Sequence, residues 1–119
     1  MEEQEPSLES LKLKLRHFAA ARDWDQFHSP KNLAAALAVE AAELLEPFQW
    51  LTEDQSKSLS PEKAAAVRKE LADVLIYLVR LADKLDVDLL QAAEDKIAEN
   101  AAKYPVEKAK GSMRKYTDL

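Results

Sequence analysis

The sequence predicts an all-α fold, from its composition and from the placement of its prolines. Only one glycine, Gly111, and five prolines occur in 119 residues, which leaves few of the residues that tight hairpin turns require. Ala, Leu, Glu and Lys dominate, and no alternating strand pattern competes with the helical one. We expect a single domain over residues 1–119, a four-helix bundle that oligomerises because so short a chain buries a limited core.

Start and stop signals place the first two helices. The first is predicted to begin after Ser7, an N-cap residue, and to run to about Arg22. Residues 23–28 break the helical period and predict a short ordered loop. A cap followed by proline, Ser29-Pro30, then opens a second helix, which Pro47 ends or bends because proline removes a helical hydrogen bond.

The same signals recur in the second half of the chain. Residues 52–60 are polar and aperiodic, which predicts a surface loop. Pro61 follows another serine cap and opens the longest helix, which should end near Lys84. Asp86 or Asp88 caps a fourth helix, and Pro105 stops it.

The termini and the charge exclude several classes of function. Residues 1–6 are expected to be disordered, and residues 106–119 form a basic tail whose ordinary interpretation is a mobile, solvated terminus. A net charge of −5 argues against binding to a nucleic-acid polymer, and no apolar run approaches the roughly 18 residues that span a bilayer. The absence of cysteine excludes disulfides, thiol catalysis and thiolate zinc. We expect a cytoplasmic protein without a membrane partner.

Two pairs of acidic residues carry the chemistry. Glu40 and Glu43 are three residues apart on the second helix, as are Glu70 and Asp73 on the longest helix. Since a helix advances by roughly 100° per residue, each pair lies on one face. One such pair usually marks a solvated helix face. Two pairs with the same placement favour a shared site.

The acids lie on the same flank of two apolar stripes. The stripes comprise Leu33, Leu37, Leu44 and Phe48 on one helix, and Val67, Leu71, Val74, Leu78 and Leu81 on the other. If these stripes pack antiparallel, four carboxylates converge, and like charges that close need protons or a cation between them. Oxygen ligands predict Mg²⁺, with Mn²⁺ as a possible substitute.

The chain resembles a known family through these acids and five further segments. Its acid pairs match the signature of the MazG-like, all-α nucleoside triphosphate pyrophosphohydrolases. The resemblance is greater to the dCTP pyrophosphatase branch and covers about residues 15–119. The segments are RDWDQFH (22–28), FQW (48–50), ELADVLIYLV (70–79), KYP (103–105) and RKYT (114–117). The resemblance implies Mg²⁺-dependent hydrolysis of a deoxynucleoside triphosphate, dCTP or a modified dCTP, to monophosphate and pyrophosphate, as nucleotide-pool housecleaning. It also implies a dimer or a tetramer.

These acids are predicted to act as metal ligands and as catalytic groups. Four carboxylates with open water positions suit metal-assisted attack of water at the α-phosphorus. Glu46 lies one turn beyond Glu43 and either activates that water or is a solvated acid. Tyr77 follows Asp73 by one turn and either contacts the substrate or packs beside the core.

Two tryptophans are the candidates for holding the base. Trp24 lies in a polar loop and Trp50 follows a proline, which are less typical positions for core residues, so stacking on a base is favoured over core packing. His28 either hydrogen-bonds the base or braces the loop. As we align them, members of the branch carry a histidine where this chain has Leu15, and a broader tolerance of bases is therefore expected. Pro47 also interrupts a segment that is continuous helix in relatives, which affects the placement of Trp50.

Basic residues near the C-terminus are predicted to contact the triphosphate. Asn100 and Lys103 share a face of the fourth helix, and by analogy with the family they bind phosphate or sugar. Lys110, Arg114 and Lys115 in the tail are assigned the same role.

Two other classes of protein compete with this interpretation. A non-catalytic helical interaction module would leave the acids solvated and use the Ala-rich faces for association. A di-iron carboxylate bundle requires Glu-x-x-His pairs, and neither His17 nor His28 lies three residues after a glutamate.

Overall fold

The computed structural model describes residues 5–119, all of whose regular elements are helical. The α-helices are α1 (Leu8–Ala21), α2 (Pro30–Leu45), α3 (Glu53–Ser56), α4 (Pro61–Lys84), α5 (Leu89–Lys103) and α6 (Val106–Ala109). Two 3-10 turns add Asp25–Phe27 and Tyr116–Asp118. None of the helices within residues 5–119 combines the length and hydropathy that crossing a bilayer requires. The all-α prediction is confirmed.

The predicted caps start the four long helices. The side chains of Ser7, Ser29, Ser60 and Asp88 each accept a hydrogen bond from the backbone N–H three residues on. These contacts satisfy N–H groups that have no partner within the helix. Helix α2 ends at Leu45, two residues before Pro47, as predicted.

Three segments are more regular than expected. The predicted loop 52–60 contains α3, because Thr52 and Gln55 form a reciprocal capping box that nucleates one helical turn. The loop 23–28 contains a 3-10 turn. The tail forms α6 and a final 3-10 turn where a solvated terminus was expected. The predicted disorder of residues 1–6 lies mostly outside the described residues; at its end, the carbonyl of Glu5 accepts a hydrogen bond from Ser10 Oγ at 3.4 Å.

The chain divides into two compact units, one ending at Asp86 and one spanning Val87–Leu119. In the first unit α4 packs on both α2 and α1, most extensively on α2. His28, just before α2, contacts Arg80, whereas Glu40 meets Glu70 earlier on α4. Helices α2 and α4 therefore run antiparallel, which is the arrangement that the acid pairs require.

The core of the first unit is small, and large apolar side chains remain at its surface. The buried apolar residues are Ala19, Leu33, Val79 and Ala82. Leu71 and Leu78, which the sequence placed on a core-facing stripe, are 53% and 37% exposed. The α4 stripe is thus wider than the surface that α1 and α2 cover.

The second unit consists of α5 and the ordered tail. The tail folds against the end of α5, where the ring of Tyr116 lies edge-on to Tyr104 with centroids 5.9 Å apart. The ammonium of Lys103 lies 4.9 Å from the centroid of Tyr116. These contacts order the last turn of the chain.

Candidate active site

Three carboxylates from α2 and α4 meet in one cluster, which we call the acid cluster. Glu40 and Glu43 from α2 and Glu70 from α4 each place a carboxylate oxygen within 4.8 Å of the other two. The cluster forms because the glutamates of each helix lie on the flank of the stripe that joins α2 to α4.

The acid cluster lacks the groups that normally accompany buried carboxylates. Among the described residues 5–119, Glu40 Oε2 and Glu70 Oε2 are buried and have no hydrogen-bond partner. The pKa of Glu40 is raised from 4.5 to about 7, first because the neighbouring carboxyl group of Glu70 favours a proton on Glu40, and then because of burial and of Glu43. Orphaned oxygens and a raised pKa indicate a deficit of positive charge. Three oxygen donors around such a deficit fit a hard divalent cation.

Asp73 lies beside the acid cluster and joins it to a cavity. Its negative charge is one of the causes that raise the pKa of Glu40, yet it is not among the three residues whose oxygens converge. Asp73 also lines a cavity of about 330 Å³. The convergence predicted for four acids is therefore seen for three, and the fourth faces the neighbouring space.

This cavity is mainly apolar and aromatic. It is enclosed by α1, the loop before α2 and α4, and its lining comprises Leu15, Phe18, Ala19, Trp24, His28, Asp73, Ile76, Tyr77 and Arg80. Phe18 and Trp24 pack edge to face with centroids 5.7 Å apart. A volume of this size and a few polar groups among aromatic rings are typical of small-molecule sites. The structure brings together four residues singled out from the sequence, namely Trp24, His28, Asp73 and Tyr77.

Arg80 fixes the loop that forms one wall of the cavity. Its side chain is 6% exposed and contacts both Asp25 and His28, which lie in the loop before α2. Lys84 also pairs with Asp25. The backbone turns into this loop at Asp23, which adopts a left-handed conformation (φ 55°) at the end of α1. We call Arg80, its partners Asp25, His28 and Asp83, and Lys84, which shares Asp25, the Arg80 network.

Sequence reasoning missed Arg80, Asp25 and Phe18. One signal was available, since Arg80 interrupts an otherwise apolar run between Leu75 and Ala82 on α4. A charged residue at such a position is usually paired. Its partners lie more than 50 positions earlier in the chain, and local pattern does not identify them.

Two predicted site residues of the first unit lie away from the cluster and the cavity. Trp50 is 88% exposed and does not line the cavity that contains Trp24. Glu46 is the exposed C-cap residue of α2 and does not belong to the acid cluster. Their roles stay predictions.

The predicted phosphate contacts all lie in the second unit. Asn100 is exposed on α5, and Lys103 pairs with Glu99 at 3.0 Å. Lys110, Arg114 and Lys115 are exposed in the tail. The cationic groups of the lysines and of Arg114 suit phosphate. The assignment of all five residues to phosphate or sugar stays a prediction.

Comparisons with known proteins agree with this fold. The family model described as MazG-like matches residues 35–119. Over 117 residues the chain is 50% identical to dCTP pyrophosphatase 1 of Mus musculus and 48% identical to that of Homo sapiens, covering 97% of this chain and 69% of each relative. A crystal structure of a pyrophosphatase from Archaeoglobus fulgidus is 38% identical and superimposes with a TM-score of 0.79, covering 88% of this chain and 98% of that one. The fold and the site together define a class of protein, the all-α proteins with a carboxylate cluster. The chain belongs to the MazG-like family.

Proposed function

We propose that the protein is a nucleoside triphosphate pyrophosphohydrolase that cleaves a deoxynucleoside triphosphate between its α- and β-phosphates. The observation that carries this proposal is the position of Asp73, which acts on Glu40 in the acid cluster and also lines the aromatic cavity. A cation site and a base-sized cavity therefore adjoin. The names of the mouse and human relatives support dCTP as the favoured substrate.

The residues that would hold Mg²⁺ are Glu40, Glu43 and Glu70, with Asp73 as the fourth ligand. Bound Mg²⁺, or Mn²⁺ in its place, offsets charge on the phosphate oxygens and lowers the pKa of a bound water. The orphaned oxygens of Glu40 and Glu70 are the part of the chain that fits this role. Glu46 is proposed to orient or deprotonate the attacking water.

The cavity is proposed to bind the base. Trp24, held edge-on against Phe18, offers an aromatic face, and Tyr77 and His28 supply polar groups nearby. Leu15 adds an apolar surface to the cavity, which supports the broader tolerance of bases expected from the sequence. Trp50 is proposed to complete the base site from its exposed position. Undiminished affinity for dCTP in Trp50→Ala would remove Trp50 from this assignment.

Cations of the second unit are proposed to bind the phosphates and sugar. Lys103 is the strongest candidate because its ammonium is already partly ordered by Glu99 and Tyr116. Asn100, Lys110, Arg114 and Lys115 are assigned to the same task. Substrate phosphate would compete with Glu99 for Lys103.

The active protein is proposed to be a homo-oligomer, a dimer or a tetramer, acting on the cytoplasmic nucleotide pool. Leu45, Trp50 and Leu71 are each more than half exposed in a single chain, and apolar surface of this kind commonly marks an interface. Sedimentation of active protein as a monomer would contradict this proposal.

The experiment that tests the proposed function is a pyrophosphate-release assay with and without Mg²⁺. The four standard deoxynucleoside triphosphates, their ribose counterparts and 5-substituted dCTP form the substrate panel. We expect Mg²⁺-dependent release of pyrophosphate, with cytosine or a modified pyrimidine favoured. Release of orthophosphate would contradict the mechanism, and preference for a ribonucleotide would contradict the dCTP assignment. No release from any substrate would favour the alternative, a non-catalytic interaction module, for which the exposed apolar surface is the supporting observation.

A further inference from the structure

The Arg80 guanidinium engages its neighbours with all three of its nitrogens. Nε donates to Nδ1 of His28 at 3.2 Å, one terminal nitrogen donates to Oδ1 of Asp25, and the other lies 3.6 Å from Oδ2 of Asp83. Asp83 is itself held by Arg16 through two hydrogen bonds of 2.7 and 2.6 Å. A planar fork with fixed donor directions makes these contacts together, and a lysine ammonium does not reproduce them.

The bond to His28 determines which of its ring nitrogens carries the proton. Guanidinium is permanently protonated and only donates, so Nδ1 of His28 must be an unprotonated acceptor. A neutral imidazole with a free Nδ1 carries its hydrogen on Nε2. Nε2–H is therefore the one ring donor of His28 that remains for a ligand in the cavity that His28 lines.

The surroundings of His28 keep the ring neutral. Burial is the main cause that lowers the pKa of His28, and the positive charges of Arg80 and Lys84 lower it further, whereas Asp25 opposes them. Among the residues that line the cavity with His28, Asp73 is the one acid. A neutral ring offers a single, oriented donor where an imidazolium would offer one at each nitrogen.

We propose that Arg80 is a positioning residue for substrate selection: it fixes His28 as the neutral Nε2–H tautomer, which then donates to N3 of cytosine, an acceptor on the base edge. Thymine presents a donor at N3, so a fixed donor in the cavity disfavours it. This inference rests on the proposed function, since it assigns the cavity to the base of a deoxynucleoside triphosphate.

The tautomer is measurable without any assay of activity. The chain contains two histidines, and His17 is exposed on α1, so long-range ¹H–¹⁵N correlation spectra of ¹⁵N-histidine-labelled protein contain two ring systems. We expect the His28 ring to show a protonated Nε2 and a free Nδ1 at pH 7. In Arg80→Lys we expect the two nitrogens to move toward averaged shifts.

Arg16→Lys is the matched control, because it alters an arginine–aspartate pair on α1 and α4 without touching His28, and its His28 spectrum should not change. A wild-type His28 that is protonated on Nδ1, or doubly protonated, would overturn the inference.

Kinetics test the consequence for the base. In Arg80→Lys the KM for dCTP should rise roughly tenfold, the loss expected for one hydrogen bond, while kcat and the KM for dTTP change by less than about twofold. His28→Gln keeps a donor near the position of Nε2 and should hold the KM for dCTP within about threefold of wild type. His28→Asn, which places its amide nearer Nδ1, should lose about tenfold.

The two histidine variants retain Arg80 and so keep the test decisive if Arg80→Lys is unstable. Equal KM values for dCTP in His28→Gln and His28→Asn would overturn the inference. Failure of the wild-type protein to release pyrophosphate would defeat the proposed function alone, since the spectra report the His28 tautomer independently.

Discussion

The two ends of the α2–α4 contact differ in whether their charged side chains are paired with opposite charges. Near the end of α2, Glu40, Glu43 and Glu70 bring like charges together, and two of their oxygens are buried without a hydrogen-bond partner. Near the start of α2, Arg80 and Lys84 neutralise Asp25, and Arg16 neutralises Asp83. One pair of helices thus carries an unsatisfied end, suited to a cation, and a satisfied end, suited to holding a binding loop in place.

This contrast separates residues expected to take part in the reaction from residues that hold the binding loop in place. Unpaired buried carboxylates destabilise a fold unless a ligand compensates them. Paired charges fix geometry, because removing one partner leaves the other uncompensated. Substitution in the acid cluster should therefore affect turnover, and substitution in the Arg80 network should affect stability and substrate binding.

The largest expected effect is on turnover in Glu70→Gln. Removing one anionic ligand should lower kcat by at least about 100-fold, a loss typical of removing one electrostatic contribution at an active site. The fold should remain intact, because the substitution also relieves repulsion within the acid cluster. Steady-state pyrophosphate release and circular dichroism measure the two effects. Retained turnover would contradict the assignment of Glu70 as a ligand, and loss of the helical signal would indicate a structural role for Glu70 instead.

The next effect is on stability in Arg80→Met. Loss of a buried guanidinium should lower the free energy of unfolding by about 2 to 4 kcal/mol, since Asp25 and Asp83 each lose a partner. Arg16→Met, which removes an exposed arginine, should cost clearly less. Urea titration of both variants in EDTA provides the comparison. Equal losses of unfolding free energy in Arg80→Met and Arg16→Met would show that the burial of Arg80 does not make its ion pairs more stabilising than that of Arg16.

A smaller effect is expected on substrate binding in Trp24→Ala. The loop that carries Trp24 is anchored at the satisfied end, so the variant should raise the KM for dCTP about tenfold with little change in kcat, consistent with the loss of one stacking contact. The measurement is steady-state kinetics at saturating Mg²⁺. A fall in kcat without a change in KM would place Trp24 in the chemistry of the acid cluster.

The smallest effect is a pH-dependent shift in melting temperature. The pKa of Glu40 is about 7 in the folded protein, compared with an ordinary value of 4.5. Between those values the folded state holds a proton that the unfolded state releases, so stability from this group falls as pH rises through that window. In EDTA, Glu40→Gln should match wild type near pH 5 and melt a few degrees higher at pH 8. A difference that is constant with pH would contradict the assignment.

The placement of the acids on one face of each helix was predictable from the sequence because it depends on a local rule. The helical period fixes which side chains share a face, and the caps at Ser29 and Ser60 define where each helix begins. The positions of the apolar stripes show on which side of each helix Glu40 and Glu70 lie. Family membership was predicted from these acids together with five further segments, and it is confirmed.

The satisfied end was not predictable in the same way. Arg80 meets Asp25 and His28 across more than 50 positions, and their contact depends on how the 3-10 turn packs on α4. The exposure of Leu71 was also missed, since helical periodicity shows which face is apolar and leaves open what covers it. The short turn of α3 depended on a single capping box within a polar segment.

Anomalous diffraction from crystals grown with Mn²⁺ and a non-hydrolysable dCTP analogue tests the contrast between the two ends most directly. The account predicts a manganese peak bounded by oxygens of Glu40, Glu43, Glu70 and Asp73, at about the 2 Å distances of hard-cation coordination, with the base in the cavity beside Trp24. An ordered analogue with no peak at these carboxylates would contradict the assignment of the acid cluster as the metal site.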